Sequence, residues 1–196
     1  GAGSVLGTEI ASKSPPDGYT LIQVAPEFTV NPSLQPKLPY DTLRDFTPIV
    51  RVVYGQYFMT VRRQVNINTV KDLIAAAKTS QVTYGSSGTG SANHLAGELF
   101  KTMAGVDMVH VPYKGSGPSM TALLAGEVTL TFGSSTAVVP HVKSGRAKVI
   151  AVTGPQRSAI APEVPTVSES GLPGFEVTGW YGLLGPARMP RAIVMR

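Results

Sequence analysis

Residues 82–95 read Val-Thr-Tyr-Gly-Ser-Ser-Gly-Thr-Gly-Ser-Ala-Asn-His-Leu, and this stretch decides the class of fold. A short β-branched run enters a loop of glycine and small hydroxyl residues, which opens directly into a segment with apolar positions at helical spacing. Glycine lets a backbone approach a ligand closely, and a helix start offers free N–H groups and the positive end of the helix dipole. The stretch therefore predicts a strand, a loop and a helix with a site for a carboxylate or phosphate.

The same strand–loop–helix pattern recurs twice downstream. The second copy starts with a strand at 109–112, and its helix is predicted to have Pro118 as its first residue and Gly126 as its C-cap. The third copy starts with a strand at 128–132 and its helix is predicted to end near Gly145. Because the carboxyl ends of parallel strands lie at one edge of a sheet, we expect the three loops to converge on one crevice.

Composition sets the class of protein. The chain has 196 residues, of which 42% are hydrophobic and 15% charged, so it can bury a core in one large or two small domains. The net charge is +5, but the basic residues are scattered without interleaved aromatic residues, which argues against a nucleic-acid surface. There are no cysteines, so disulfides and thiol chemistry are excluded. No apolar run approaches the roughly 20 residues of a membrane span.

The histidines and loop serines do not form a catalytic or metal-binding pattern. His94, His110 and His141 lack flanking acids, so neither a metal nor another cofactor is predicted. His94 falls in the first turn of a predicted helix, where a positive charge is unfavourable, so we expect it to be neutral and structural. A hydrolase would use Ser87 as its nucleophile, but Thr89 stands where a nucleophile elbow requires glycine. The interpretation is that the chain is not an enzyme.

Two similar segments predict a two-lobed organisation. Tyr57–Asp72 and Trp180–Val194 each read as a strand, a turn and a helix, as expected where a chain crosses between lobes. This places lobe 1 at 1–59 plus 183–196 and lobe 2 at 60–182. Because an α/β protein is not expected to lack its first strand, the fold is interpreted as truncated at both ends. Before the first crossing, the proline content of residues 26–39 predicts a long loop.

Short motifs along the whole chain occur in the order typical of one known family. They are PDGYTL at 16–21, NPSL at 31–34, KLPYD at 37–41, GSSG at 85–88, HLAGELF at 94–100, HVPYKG at 110–115, PHV at 140–142, VPT at 164–166 and GLPGF at 171–175. In this combination the chain resembles the tripartite tricarboxylate transporter receptors, the Bug or TctC-like periplasmic solute-binding proteins.

The resemblance implies a fold, a function and a location. The fold is an α/β periplasmic-binding-protein fold of the type II-like, Venus-flytrap kind. The function is capture of a small di- or tricarboxylate, aromatic or related organic acid by hinge closure, and delivery to a membrane permease. The protein is expected to be periplasmic and monomeric. A periplasmic sensing subunit for a signalling partner and, less favoured, a phosphate- or nucleotide-binding α/β enzyme are the alternatives.

The predicted ligand-binding residues combine the three loops with one segment of the other lobe. They are Ser86, Ser87, Gly88 and Thr89 in the first loop, Ser116 and Gly117 in the second, Gly133, Ser134 and Ser135 in the third, and Glu27 and Phe28 in the other lobe. The alternative for the loop residues is that they cap helices. Glu27 either points outward or contacts an NH or hydroxyl group of the ligand, and Phe28 forms either an apolar wall or part of the local packing.

Overall fold

The computed structural model describes residues 4–195, and the chain forms two compact units. Unit 1 comprises Gly1–Tyr54 and Gly179–Arg196, and unit 2 comprises Gly55–Thr178. The helices are α1 (Val5–Ser12), α2 (Glu27–Leu34), α3 (Val70–Thr79), α4 (Ala92–Ala104), α5 (Ser116–Ala125), α6 (Ser135–Lys143) and α7 (Arg191–Val194). The strands are β1 (Ile22–Val24), β2 (Phe46–Gln56), β3 (Phe58–Arg62), β4 (Thr83–Ser86), β5 (Val109–Pro112), β6 (Leu130–Gly133), β7 (Ala147–Val152) and β8 (Thr178–Pro186). Within residues 4–195, no helix has the length and apolar character needed to cross a membrane.

Unit 2 is built on a five-stranded sheet with the strand order β5-β4-β6-β3-β7. Strand β4 runs parallel to β5 on one side and to β6 on the other, whereas β3 runs antiparallel to β6 and β7. Strands β4, β5 and β6 begin the three repeats predicted from the sequence, and α4, α5 and α6 follow them. Their carboxyl ends therefore lie at one edge of the sheet, as predicted.

Apolar side chains cover both faces of this sheet. Phe58 and Met59 are neighbours on β3, so their side chains point to opposite faces. Phe58 belongs to a cluster with Leu123 of α5, and Met59 belongs to a cluster with Leu73 of α3 and Phe100 of α4. All five side chains are at most 2% exposed. Helices on both faces hold the strand ends, and the loops that follow them, in a fixed arrangement.

Unit 1 has a smaller sheet with the strand order β1-β8-β2, in which β1 and β8 are antiparallel. Its core contains an aromatic cluster of Phe28, Tyr40 and Phe46. Phe46 packs edge-on against the other two rings, with ring centroids 5.3 Å from Phe28 and 5.8 Å from Tyr40. Aromatic pairs of this kind contribute about 0.5–1.5 kcal/mol beyond their buried area. The cluster ties α2 to the start of β2.

The prediction of a long loop at residues 26–39 was wrong for its first part, which forms α2. Pro32 lies inside this eight-residue helix and removes one backbone N–H donor. Burial of Phe28, which is 8% exposed, stabilises the helix against that loss. Proline content alone pointed to a loop because it carries no information about the core contact between Phe28 and Phe46, which lie 18 residues apart in the chain.

Helix ends follow the local sequence signals, with one exception. Asp72 N donates to the Thr69 side chain at 3.1 Å and Thr69 N donates to Asp72 Oδ2 at 3.0 Å, which completes a capping box at α3. Gly126 ends α5 with φ +85°, as predicted. The start of α5 differs, because the helix begins at Ser116. Pro118 is therefore its third residue and not its first.

The two units meet in sequence at 54/55 and 178/179, whereas the predicted lobe boundaries fall at 59/60 and 182/183, inside β3 and β8. The difference has a physical cause. Met59 pairs with Phe132 of β6 and with Ala151 of β7, which makes it part of the sheet of unit 2. Gly182 pairs with Val24 of β1, which makes it part of the sheet of unit 1.

Candidate functional site

The candidate site is the edge of the unit 2 sheet where the loops after β4, β5 and β6 lie side by side. Ser86 is level with Pro112 across the β4–β5 pair, and Gly85 is level with Thr131 across the β4–β6 pair. The backbone also connects the first two loops, because Tyr113 N donates to Ser86 O at 3.1 Å. The structure therefore brings the three predicted loops together at one edge.

A buried pair of hydroxyl groups fixes the strands just below the loops. Ser119 Oγ lies 3.0 Å from Thr131 Oγ1, and Thr131 Oγ1 donates to Gly85 O at 3.0 Å. Gly85 is required for this approach, because a Cβ there would lie 2.5 Å from Ser119 Oγ. This contact places α5 directly against β4.

Asn93, the second residue of α4, binds Ser87 and Ser91 of the β4–α4 loop. Its Oδ1 accepts from Ser87 Oγ at 2.9 Å and from Ser87 N at 3.3 Å. The hydroxyl of Ser91 lies 2.6 Å from the same oxygen. Ser91 is also the N-cap of α4 and accepts from His94 N at 3.4 Å. The hydroxyl of Ser87, predicted to hold a ligand, therefore has a partner inside the loop.

Ser86 is fully buried, and its hydroxyl contacts His110 and Gly88. Its Oγ lies 2.6 Å from Nε2 of His110 on β5 and accepts from Gly88 N at 3.1 Å. The Ser86 hydroxyl shapes the loop from inside and is 0% exposed. A role for Ser86 in direct ligand contact stays a prediction that no observation here supports.

The backbone donors of the site are the N–H groups that have no partner in the described structure. Two of them stand at the start of each of the three helices. They belong to Ala92 and Asn93 at α4, Ser116 and Gly117 at α5, and Ser135 and Thr136 at α6. Thr89, in the loop before α4, offers one more. Pro118 carries no N–H, so α5 offers two donors and not three. These donors, together with the helix dipoles, are suited to an anion.

The third loop combines close packing with an open helix start. Gly133 is buried, and a Cβ there would lie 2.4 Å from Val138 Cγ2, so its role is to let α6 pack against the end of β6. Ser134 is the N-cap of α6 but makes no side-chain cap hydrogen bond. Its Oγ lies 3.1 Å from Thr136 Oγ1 instead. Ser135 begins the helix and leaves its N–H unpaired.

Cationic side chains contribute little to the site. Lys114 is the one basic residue in the sequence of the three loops, and it is exposed. His94 and His110 lie behind the first loop, and desolvation lowers the pKa of both imidazoles, that of His110 to about 4. No three His, Asp or Glu side chains of residues 4–195 are grouped so that they could hold a metal ion. The groups that this edge offers to an anion are therefore helix dipoles, N–H groups and hydroxyl groups.

Glu27 and Phe28 lie in unit 1 at the start of α2. Phe28 is part of the aromatic core described above, which gives its ring a packing role, and a ligand contact by Phe28 remains a prediction. Glu27 is partly buried in the first turn of α2, where a carboxylate is favourable to the helix dipole. Its contact with a ligand also remains a prediction.

Sequence reasoning missed Asn93, Ser91 and His110. Ser91 carried a recognisable signal, since a serine just before a helical pattern is a typical N-cap. His110 carried none, because its partner Ser86 lies 24 residues away. The contacts of Asn93 with Ser87 and Ser91 are local, but they depend on the turns of the loop. The short Ser86–His110 distance resembles a catalytic pair, but a fully buried hydroxyl is closed to substrate. The geometry agrees with a binding site and not with a hydrolase.

Comparison with known proteins identifies the family. The profile described as tripartite tricarboxylate transporter family receptor, TctC, matches residues 1–196. Protein BugT of Bordetella pertussis is 34% identical over 200 residues, which cover 100% of this chain and 61% of BugT. The chain therefore spans about three fifths of the length of this curated relative.

Two solved structures are close in fold. R. palustris Rpa4515 with adipate has a TM-score of 0.93 and 34% identity, over 97% of this chain and 65% of that chain. MatC from Rhodopseudomonas palustris with bound malate has a TM-score of 0.88 and 30% identity, over 99% of this chain and 67% of that chain. The predicted class of fold is confirmed, and these relatives are receptors and not enzymes. The chain belongs to the tripartite tricarboxylate transporter receptor family.

Proposed function

We propose that this chain is the solute-binding part of a periplasmic receptor that captures a small organic acid with two or more carboxylates. The observation that carries the proposal is the row of unpaired N–H groups at the starts of α4, α5 and α6, all at one edge of the unit 2 sheet. Unpaired donors at a helix start stabilise a carboxylate through hydrogen bonds and through the helix dipole.

The class of ligand is supported by two relatives. Their structures hold adipate in one and malate in the other, and both ligands are dicarboxylic acids. The absence of any arginine from the three loops agrees with recognition by backbone groups. We therefore expect a dicarboxylate to bind here, with one carboxylate at the three helix starts.

The rest of the predicted function follows from the family. The two units would act as the two lobes, and closure of lobe 1 over the helix starts would exclude water from the ligand. The ligand shifts this equilibrium only by its higher affinity for the closed state. Delivery would be to a membrane permease. Closure is measurable as a smaller radius of gyration in small-angle X-ray scattering after adipate is added.

The test removes one N–H donor without changing the helix. Ser135→Pro deletes the N–H of the first residue of α6, where proline is well tolerated. The preceding residue, Ser134, has φ −68° and ψ 154°, which is compatible with a following proline. The matched control Ser135→Ala keeps the N–H and removes only the hydroxyl.

Binding of adipate and malate is measured by isothermal titration calorimetry. We expect Ser135→Pro to weaken binding about tenfold or more, the effect of losing a hydrogen bond to a charged group, and Ser135→Ala to weaken it less. Equal affinity of wild type and Ser135→Pro would reject the site at α6. Failure of every di- and tricarboxylate to bind the wild-type chain would reject the function itself.

A further inference from the structure

Two histidines from different elements stack directly behind the first loop. The rings of His94 on α4 and His110 on β5 have centroids 4.0 Å apart. His110 also stacks on the fully buried ring of Tyr84, with centroids 5.0 Å apart. Both imidazoles are partly buried. None of the functions described so far uses this pair.

His94 is held in its neutral form by a backbone hydrogen bond. The N–H of Gly90 donates to Nδ1 of His94 at 3.2 Å. A ring nitrogen that accepts a hydrogen bond carries no proton, so the proton of the neutral ring is on Nε2. Protonation would make Nδ1 a donor that faces another donor, and Gly90 N–H would lose its partner.

His110 is connected to Gly88, the other glycine of the loop, through Ser86. Its Nε2 lies 2.6 Å from Ser86 Oγ, which accepts the N–H of Gly88 and lies 3.2 Å from Gly88 O. Protonation of Nε2 therefore turns the Ser86 hydroxyl proton from His110 toward Gly88 O. Gly88 and Gly90 have φ +136° and +82°, which residues with a side chain rarely adopt. The hydrogen bonds from Gly88 N–H to Ser86 Oγ and from Gly90 N–H to His94 Nδ1 hold these two turns of the loop. Thr89 lies between the two glycines, and its N–H is one of the unpaired donors described above.

We propose that His94 and His110 are positioning residues: as a neutral pair they hold the β4–α4 loop so that its free N–H groups are aligned for a carboxylate, and protonation of the pair releases the loop and lowers its affinity for the ligand. This inference rests on the proposed function. The pair does not touch the ligand and acts through Gly88 and Gly90.

The charges around the pair keep it neutral at ordinary pH. Desolvation is the largest cause that lowers the pKa of both rings, and Lys101 lowers both further, whereas Glu98 raises them. The Glu98 carboxylate accepts from Tyr84 Oη at 2.6 Å and lies 3.1 Å from Lys101 Nζ. A second imidazolium at 4.0 Å would also be repelled by the first. The titratable and charged groups around the pair are Tyr84 of β4 and Glu98 and Lys101 of α4.

The first experiment needs no ligand. Nuclear magnetic resonance follows the imidazole signals of the three histidines and the amide signals of Gly88 and Gly90 as the pH falls from about 7.5 to about 4.5, across the ordinary histidine pKa of about 6.5. We expect the Gly90 amide to shift with the titration of His94. The Gly88 amide should begin to shift at the lower end of the range, where protonation of His110, whose pKa is about 4, sets in. The amides should not follow His141, which is on α6 and contacts Arg146. Glycine amides that stay unchanged while the pair titrates would overturn the proposal.

The second experiment measures adipate affinity at both ends of that range. The variants are His94→Asn, which keeps an acceptor near Nδ1, and His110→Gln, which keeps a polar group near Nε2; neither new side chain can become a cation. His141→Asn is the control. Because the carboxyl groups of adipate titrate in the same range, each variant is compared with wild type at the same pH.

We expect wild type and His141→Asn to lose several-fold more affinity on acidification than the double variant His94→Asn/His110→Gln, because the pair must release its protons before the loop binds the ligand. The affinity of each variant is normalised to its own value at the upper end of the pH range, so that the comparison concerns the pH dependence alone. An equal pH dependence in wild type and double variant, or tighter binding by wild type at low pH, would overturn the proposal. If no dicarboxylate binds at any pH, the proposed function fails, whereas the glycine amide shifts still test the loop.

Discussion

At the scale of single residues, Gly97 shows how the lack of a side chain lets α4 pack closely against β4. Gly97 lies in the middle of α4 and is buried against the ring of Tyr84. A Cβ at this position would lie 2.2 Å from Tyr84 Cε2. The ring cannot move away easily, because it stacks on His110 and packs edge-on against Phe132.

We therefore expect Gly97→Ala to destabilise the protein by about 1–3 kcal/mol, because overpacking outweighs the better helix propensity of alanine. Urea denaturation monitored by circular dichroism measures this free energy of unfolding. The matched control is Gly7→Ala in α1, where a Cβ meets nothing within 4 Å. If both variants were equally stable or more stable than wild type, the close contact between α4 and Tyr84 would be wrong.

The hydroxyl of Ser91 both caps α4 and contacts the β4–α4 loop. We expect Ser91→Ala to cost about 0.5–2 kcal/mol of stability through loss of the N-cap, and to weaken dicarboxylate binding because Asn93 loses a partner. Thr102→Ala, which removes an exposed hydroxyl elsewhere on α4 that donates to Glu98 O, is the control. Thermal unfolding and calorimetry measure the two effects separately. Unchanged stability and affinity would contradict the role of Ser91.

At the scale of elements, α3 shows a helix whose start is fixed by local sequence alone. Its capping box joins Thr69 and Asp72, and the carboxylate accepts from the backbone of Asn68 as well. Those hydrogen bonds lower the pKa of the Asp72 carboxyl group. The helix is amphipathic, and its buried face carries Val70 and Leu73, which are both fully buried.

We expect Thr69→Ala to lower the free energy of unfolding by about 1 kcal/mol, as is typical for loss of an N-cap side chain. Thr69→Ser keeps the hydroxyl and is expected to stay close to wild type. Urea denaturation of the two variants makes the comparison. A Thr69→Ser variant as unstable as Thr69→Ala would show that the methyl group, and not the cap, is responsible.

At the scale of the whole molecule, the buried histidines make stability depend on pH. The folded chain lowers the pKa of His110 from 6.5 to about 4, so between these values the unfolded chain binds more protons than the folded chain. The contribution of His110 to stability is therefore fully present above about pH 6.5. It is lost progressively as the pH falls toward 4. His94 acts in the same direction, since its pKa is also lowered.

We expect the melting temperature to fall between about pH 7 and about pH 5, a range that spans the ordinary histidine pKa of about 6.5. The fall should be smaller in His110→Gln than in wild type. Differential scanning calorimetry at both values provides the measurement, with His141→Gln as the control that keeps the full pH dependence. The same fall in wild type and in His110→Gln would mean that His110 is not neutral in the folded protein.

The sequence by itself determined the features that depend on neighbouring residues. The three strand–loop–helix repeats, the capping box of α3 and the C-cap at Gly126 could all be predicted, because each rests on hydrophobic periodicity or on a hydrogen bond that spans a few residues. The meeting of the three loops at one edge also followed, since it is a property of parallel strands.

Only the tertiary structure decided which groups of those loops are free. Ser86, predicted as a ligand contact, is bound to His110, which lies 24 residues away. Ser87 is bound to Asn93 in the first turn of α4, through the fold of the loop between them. The segment Glu27–Leu34 forms α2 and not a loop because Phe28 packs on Tyr40 and Phe46. Contacts between residues far apart in sequence leave no local signal, and these contacts determine which groups stabilise the loop and which N–H groups stay unpaired.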